Sequence, residues 1–409
     1  MTRATDRRLD LLVFGATSFV GQILCRYLVE RHGTDGSLRW AIAGRNRTKL
    51  DSVAHDTGAE VERIVADASD GAALADMASS TKVVVSTVGP YALYGSELVA
   101  AVVEAGTDYC DLTGEPQWIR RMIDAHSVGA ESSGSRVVNS CGFDSIPSDL
   151  GVWFTQQRSL ETHGEYCDLI SMRVKALRGG ASGGTIASMV NLMAEASEDS
   201  ALRELLADPF ALVPDSIRRG VPQPQHKGPF NDSLSGQWAA PFVMEAINTR
   251  IVMRTNALLD KRWGSGFRYD EAMLMGSGPL GMAKATGVSA GLAGAMFATS
   301  IGPIRNVLSD RVLPKPGTGP SADAQQRGYF DLRFFGSAPS GDRIRTRVIG
   351  DRDPGYGSTA RMLGEAAFAL VEGVAPDSGG GFWTPAALFG DELVERLDTH
   401  AGVGFEVID

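Results

Sequence analysis

Along the first 150 residues, short apolar runs at 9–14, 38–43, 61–65, 82–87, 108–112 and 136–140 alternate with stretches whose apolar residues recur at helical spacing. An apolar run without polar alternation is what a strand shows when helices cover both faces of its sheet. The alternation therefore predicts right-handed crossovers and a doubly wound parallel sheet, with ligands bound beyond the carboxyl ends of its strands. After about residue 155 the pattern changes. "CDLISMRVKAL", "FRYDEAMLM", "GYFDLRFFG" and "DRIRTRVIGD" mix polar and apolar positions over longer runs, which predicts a mainly antiparallel sheet in an α+β region. A helix near 184–197, a Pro-rich loop "VPQPQHKGP" at 221–229 and a helical stretch near 241–259 lie between them. Towards the end, "GSTARMLGEAAFALVEG" has the spacing of an amphipathic helix, and "GGGFWTPAALFGDELVERL" reads as a glycine turn followed by another.

Length and charge narrow the class. A chain of 409 residues is too long for one ordinary core, so two domains, or one domain split by an insertion, are expected. The net charge of -10 argues against a nucleic-acid partner, because phosphate binding needs clustered Lys and Arg, and no basic run occurs. "MTRATDRRLD" has no apolar core of a secretory signal, which gives a cytoplasmic expectation. Cys25, Cys110, Cys141 and Cys167 are widely spaced without CxxC, and HExxH is absent, so neither a disulfide framework nor a metal site is expected. One stretch complicates this. Residues 285–304, "ATGVSAGLAGAMFATSIGPI", carry no charge over a length that could cross a bilayer. Gly, Ala, Ser and Thr dominate it, so the expectation is a buried helical pair or a pocket lip in membrane-surface contact, ahead of a true span.

Candidate chemistry collects at the predicted strand ends. "FGATSFVG" follows the first strand and opens a helix, as in a Rossmann-type dinucleotide-binding domain, but Ser18 stands where the middle glycine of the fingerprint is usual. Gly15 meets the need for a tight turn and Gly21 the need for close helix packing, while Ser18 offers a hydroxyl donor in place of close backbone approach. After the second strand an NAD-selective site places an acidic residue. Here stands Arg45, whose guanidinium suits a 2′-phosphate, with Arg47 or Lys49 adding charge, so NADPH is the expected cofactor. Asp67, after the third strand, either accepts from the adenine amino group or caps the next helix. In "VVVSTVGPYALYG" the small residues Ser86, Thr87, Val88 and Gly89 let the backbone pass beneath a cofactor. Tyr91 and Tyr94 follow as the candidate proton donors. "YCDLTGE" and "NSCGFDSIPSDLG" add Asp111, Glu115, Cys141 and Asp144 on the same edge, Asp144 also reading as a helix N-cap and Cys141 as a small buried residue. No Tyr has Lys four residues on, which argues against the Tyr–Lys proton donor common among Rossmann reductases. "ALRGGASGGTIASM", with Arg178 and Thr185, is either an anion cradle or a flexible turn.

Taken in order, "GATSFVG", "AGRNRTKL", "STVGPY", "YCDLTGE", "CGFDSIPSDLG" and "SGGT" resemble the saccharopine dehydrogenase-like oxidoreductases over nearly the whole chain, and within them the trans-acting enoyl reductases. The resemblance implies that Gly15, Thr17, Ser18, Phe19, Val20 and Gly21 hold the cofactor pyrophosphate and Arg45 the adenosine phosphate, and that Ser86–Gly89 meets the nicotinamide side. It also implies three segments: a Rossmann domain at 1–155, an inserted substrate or oligomerisation domain at 156–354, and a tail at 355–409 that packs back on the Rossmann domain. The implied activity is NADPH-dependent reduction of a carbon–carbon double bond in a carrier-bound acyl or polyketide chain of cell-envelope lipid synthesis, with a polyketide synthase as partner and a homo-oligomeric assembly. Two alternatives stay open: a saccharopine-type amino-acid dehydrogenase, and a non-catalytic NADPH-binding scaffold at a lipid surface.

Overall fold

The computed structural model describes residues 7–36, 38–179, 183–217, 220–300, 319–373 and 378–408. Six strands form in chain order where the apolar runs predict them: β1 (Leu9–Phe14), β2 (Trp40–Gly44), β3 (Glu62–Val65), β4 (Thr81–Ser86), β5 (Asp108–Asp111) and β6 (Arg136–Val138). The chain then builds β7 (Leu169–Arg178), β8 (Phe230–Asp232), β9 (Gln237–Pro241), β10 (Arg268–Gly276), β11 (Tyr329–Ser337) and β12 (Arg343–Gly350), and ends with β13 (Gly381–Trp383) and β14 (Val403–Ile408). Two seven-stranded sheets result. The first runs β13-β6-β5-β4-β1-β2-β3 with every pair parallel. Its central strands are buried on both faces, which is why they read as largely apolar runs, interrupted at Asp10 and Lys82 near their starts. Because β2 and β3 lie on one side of β1 and β4 on the other, the winding reverses between β1 and β4, and the crevice beyond their carboxyl ends is where such a sheet binds a ligand.

The second sheet runs β14-β12-β11-β7-β10-β9-β8 and is mixed: only β7 and β10 pair in parallel. The helix Ile146–His163, which follows β6, packs its inner face on this sheet. The approach is close at Gly151, where a Cβ would lie 2.2 Å from Cζ of Phe334, so no larger residue fits there. A second buried helix, Glu245–Leu258, lies beside it.

Residues beyond 355 serve both sheets. The helix Thr359–Glu372 packs on the helix Phe19–His32 and behind β4 and β5; β13 extends the first sheet beside β6, and β14 extends the second beside β12. The sequence reading of "GGGFW" as a turn alone is corrected here, since Gly381–Trp383 pairs with Arg136–Val138.

The uncharged stretch also needs correction. It belongs to a helix, Gly278–Ser300, and residues 301–304 lie outside the described residues. This helix is not buried. It rests on β9, β10 and the helix Gly183–Glu198 along one side, while Leu280 and Phe297 are 68% and 70% exposed. Side chains added at Gly287, Gly291 or Gly294 would meet nothing within 4 Å. Small residues bury little area, so composition without charge is no evidence of an interior position. No helix among the described residues is long and apolar enough to cross a membrane.

Candidate active site

The turn after β1 shows why its two glycines stand where they do. Gly15 has φ of 86°, and a Cβ on it would lie 2.5 Å from Cγ2 of Val88 and 2.9 Å from Oγ1 of Thr87. The end of β1 therefore touches the end of β4 directly. At Gly21 a Cβ would lie 2.4 Å from the carbonyl oxygen of Gly15, so the helix Phe19–His32 can start this close to the strand only with glycine there.

Ser18 is the helix N-cap: its Oγ accepts from the Gly21 N–H at 2.9 Å and lies 2.9 Å from Oγ1 of Thr87, which also reaches the Gly15 carbonyl at 2.9 Å. The hydroxyl expected to point at a pyrophosphate is thus turned inward, holding the turn after β1 and the loop after β4 together. What the turn leaves for an anion is backbone: the N–H groups of Phe19 and Val20 belong to the first helical turn, which has no partner within its own helix. Thr17 stands on the β2 side, its side chain within 3.9 Å of where a Cβ of Gly44 would be.

At the end of β2, Arg45 is exposed, and no hydrogen bond or ion pair ties it among the described residues. The neighbouring Arg47 is paired with Asp51 at 3.2 Å, and Asn46 caps the following helix through the Lys49 N–H. Asp67 accepts from the N–H and hydroxyl of Ser69 at 3.0 and 2.7 Å, bonds that hold its carboxyl below the usual range with help from Arg45. It does not cap the helix that follows; Asp70 does.

The loop after β4 is built on two buried groups. Tyr91 donates its hydroxyl to the Ser86 carbonyl at 3.0 Å and accepts from the Leu112 N–H at 3.1 Å, while burial and the charge of Asp111 push its phenol well above the ordinary value. Its proton is committed to joining the ends of β4 and β5. The expectation of Tyr91 as a proton donor therefore gives way to a bracing role, because both faces of its hydroxyl are taken. Tyr94, 47% exposed, is the phenol left accessible. Glu115 is the second group. It is 1% exposed, and its carboxylate accepts from the N–H groups of Tyr91 and Ala92 at 2.8 and 3.0 Å and from the Ser188 hydroxyl at 2.7 Å.

Asp111 is a buried hub. It accepts from the Thr113 and Ser140 N–H groups and from Asn139, and burial pushes its carboxyl up to about 6 against those bonds. Cys141 is buried with its thiol pushed well up by burial, which suits packing and not nucleophilic attack. Asp144 lies with Oδ2 3.9 Å from where a Cβ of Gly114 would be; the cap of the next helix is Ser145, one residue on.

Two features were missed in the sequence. Tyr356, buried on the tail, sets its ring edge-on to Phe19 at 4.9 Å and accepts the Gly183 N–H at 2.8 Å. That N–H opens the helix Gly183–Glu198, so a protein hydroxyl stands at the glycine segment where an anion cradle was one reading. The side chain of Thr185 lies outside the described residues, and Arg178 is exposed at the end of β7. The other feature is a proton-holding network between the helix Ile146–His163 and the second sheet. Tyr269 and Asn248 donate to Glu271 at 2.6 and 3.0 Å, and Asn248 links on to Ser148 and Ser145. Burial pushes Glu271 up to about 7, and burial with the charge of Glu271 pushes Glu245 up to about 8. Two adjacent acidic residues, Asp270 and Glu271, within a strand were the available signal, since alternation must turn one of the two inward.

No family model matches the chain. Among curated proteins, it is 42% identical over 417 residues, with 98% of each chain covered, to a Mycobacterium tuberculosis (strain ATCC 25618 / H37Rv) protein whose name is that of a trans-acting enoyl reductase. It is 38% identical over 410 residues, 96% of each chain, to a trans-acting enoyl reductase of Mycobacterium bovis, and 37% identical over 408 residues to one of Mycobacterium ulcerans. Among solved structures it resembles the saccharopine dehydrogenase (L-Glu forming) of Saccharomyces cerevisiae, with a TM-score of 0.55 at 11% identity, over 98% of this chain and all of that one.

Proposed function

The chain belongs to the trans-acting enoyl reductase family and has the fold of a saccharopine dehydrogenase; from that premise we propose that it is an NADPH-dependent reductase of a carbon–carbon double bond in a carrier-bound acyl or polyketide chain. The observation that carries the cofactor reading is the turn at Gly15–Gly21, where backbone lies too close for any side chain and a helix N-terminus is left open beside β4. Arg45, exposed and unpaired among the described residues, supports the 2′-phosphate.

With NADPH held there, the cofactor would supply the hydride that reduction at the β carbon of the enoyl group needs. The chain's own part is orientation and proton supply. Phe19 and Val20 N–H groups hold the pyrophosphate, Ser86–Gly89 supports the nicotinamide side, and Tyr91 and Glu115 keep that loop in place. Tyr94 offers its phenol proton to the α carbon. In this reading the exposed helix Gly278–Ser300 rests against a lipid surface, a carrier presents the substrate, and a polyketide synthase of cell-envelope lipid synthesis supplies it.

Titration with NADPH and NADH, followed by NADPH consumption with a long-chain enoyl thioester on a carrier, tests the proposal. Tight NADPH binding with turnover is expected. Binding without turnover of that thioester would overturn the substrate assignment, and failure to bind either nucleotide would overturn the cofactor.

A further inference from the structure

The helix Gly183–Glu198 lies in the chain between β7 and β8 of the second sheet, yet its polar ties reach away from that sheet. Its first N–H is held by Tyr356, whose ring leans on Phe19 of the cofactor turn. Ser188, five residues on and about 7.5 Å along the axis, donates to Glu115 beside Tyr91. Near its far end Glu195 pairs with Arg121 at 2.8 Å. The helix is therefore tied at its start, through Tyr356, to the turn after β1 and, through Glu115, to the loop after β4. From Gly183 to Ala194 it carries no charged side chain, so the bond from Ser188 to a buried carboxylate is its strong polar anchor there.

Glu115 is thereby shared between two tasks. Two of its three hydrogen bonds hold the backbone of Tyr91 and Ala92, and the third holds the helix Gly183–Glu198 through Ser188. We propose that Glu115 is a positioning residue for the reduction: one buried carboxylate sets both the loop under the nicotinamide and, through Ser188, the height of the helix that covers the bound enoyl group. This rests on the activity proposed above. The carboxylate touches neither substrate nor cofactor; it fixes the spacing between the two surfaces that enclose them, and a spacing error of even 1 Å is costly to a reaction that needs near-attack geometry.

Ser188→Ala separates the two tasks, because it removes the roof bond and leaves both backbone bonds of Glu115. With the full chain bound to NADPH, we expect NADPH affinity within about twofold of the parent and kcat for an enoyl thioester lowered about tenfold or more, the size of one hydrogen bond to a charged acceptor. Amide exchange across 183–198 should quicken while that across 15–21 is unchanged. Ser188→Thr should restore much of kcat. Glu115→Gln, which disturbs both surfaces, should lower kcat and weaken NADPH together. Parent-like kcat and exchange in Ser188→Ala would overturn the positioning role. Absence of turnover in the parent protein would instead overturn the activity, and is read independently of the variants.

Discussion

Glu271→Gln turns the buried network into a measurement. The parent carboxyl, at about 7 in the fold against 4.5 for an ordinary glutamate, holds its proton where the unfolded chain has lost it. A carboxyl with a raised folded value contributes stability that is fully present below 4.5 and is lost as pH rises through about 7. At about 1.4 kcal/mol per tenfold change in acidity, the loss across that window is about 3 kcal/mol. Glutamine keeps the shape and cannot ionise, but its amide meets the donating Nδ2 of Asn248, a pH-independent cost of about 1 kcal/mol for one mispaired bond. The variant should therefore be less stable than the parent by about 1 kcal/mol near pH 4.5 and more stable by about 2 kcal/mol at pH 8. Urea unfolding at a series of pH values reads this as a difference between two proteins that cancels the titration of Asp111, while the fall of the Glu245 carboxyl once the Glu271 charge is gone adds to the variant's advantage at high pH. Stability curves that run parallel from pH 4.5 to 8 would show that Glu271 is not held protonated, and the network would then be an ordinary set of hydrogen bonds.

Four further outcomes are expected. Arg45→Ala should weaken NADPH at least tenfold more than NADH, as loss of a guanidinium–phosphate pair requires, and equal losses in the two titrations would remove the phosphate assignment. Tyr91→Phe should destabilise the fold by about 1–3 kcal/mol by orphaning the Ser86 carbonyl and the Leu112 N–H. Tyr94→Phe should leave the melting temperature unchanged and lower kcat, and unaltered turnover would exclude its phenol as the proton source. Replacing exposed Leu280, Met282 and Phe297 together with serine should abolish flotation of the protein with anionic lipid vesicles, and flotation equal to the parent's would detach that helix from any lipid role.

How much of this was legible in the sequence depended on whether the informative contact was local. β1, β2 and β4 were legible because burial on both faces leaves a largely apolar run, and Gly15 and Gly21 because a close approach admits no side chain. β8, β9 and β13 are short, and β13 begins at the last of three glycines, so no run of theirs stands out from a loop. Ser18 was legible as a hydroxyl at a helix start, but its direction was not, since that depends on Thr87, sixty-nine residues away. Tyr356 and Gly183 are further apart still, and nothing near either residue signals the other. The helix Gly278–Ser300 misled for a different reason: absence of charge was read as burial, whereas its many small residues leave it little area to bury.

The division of the tail between the sheets has a consequence for how the protein is made. β6 gains its outer neighbour from Gly381–Trp383, and β12 from Val403–Ile408, so a ribosome must release residues up to 383 and 408 before the two sheets have these edges. Until then β6 and β12 present open strand edges, the kind of surface that recruits other chains. Nonsense mutations that remove Gly381–Trp383 or Val403–Ile408, or fusions that hinder their pairing, should therefore be felt as aggregation during synthesis and not as a trimmed but working enzyme.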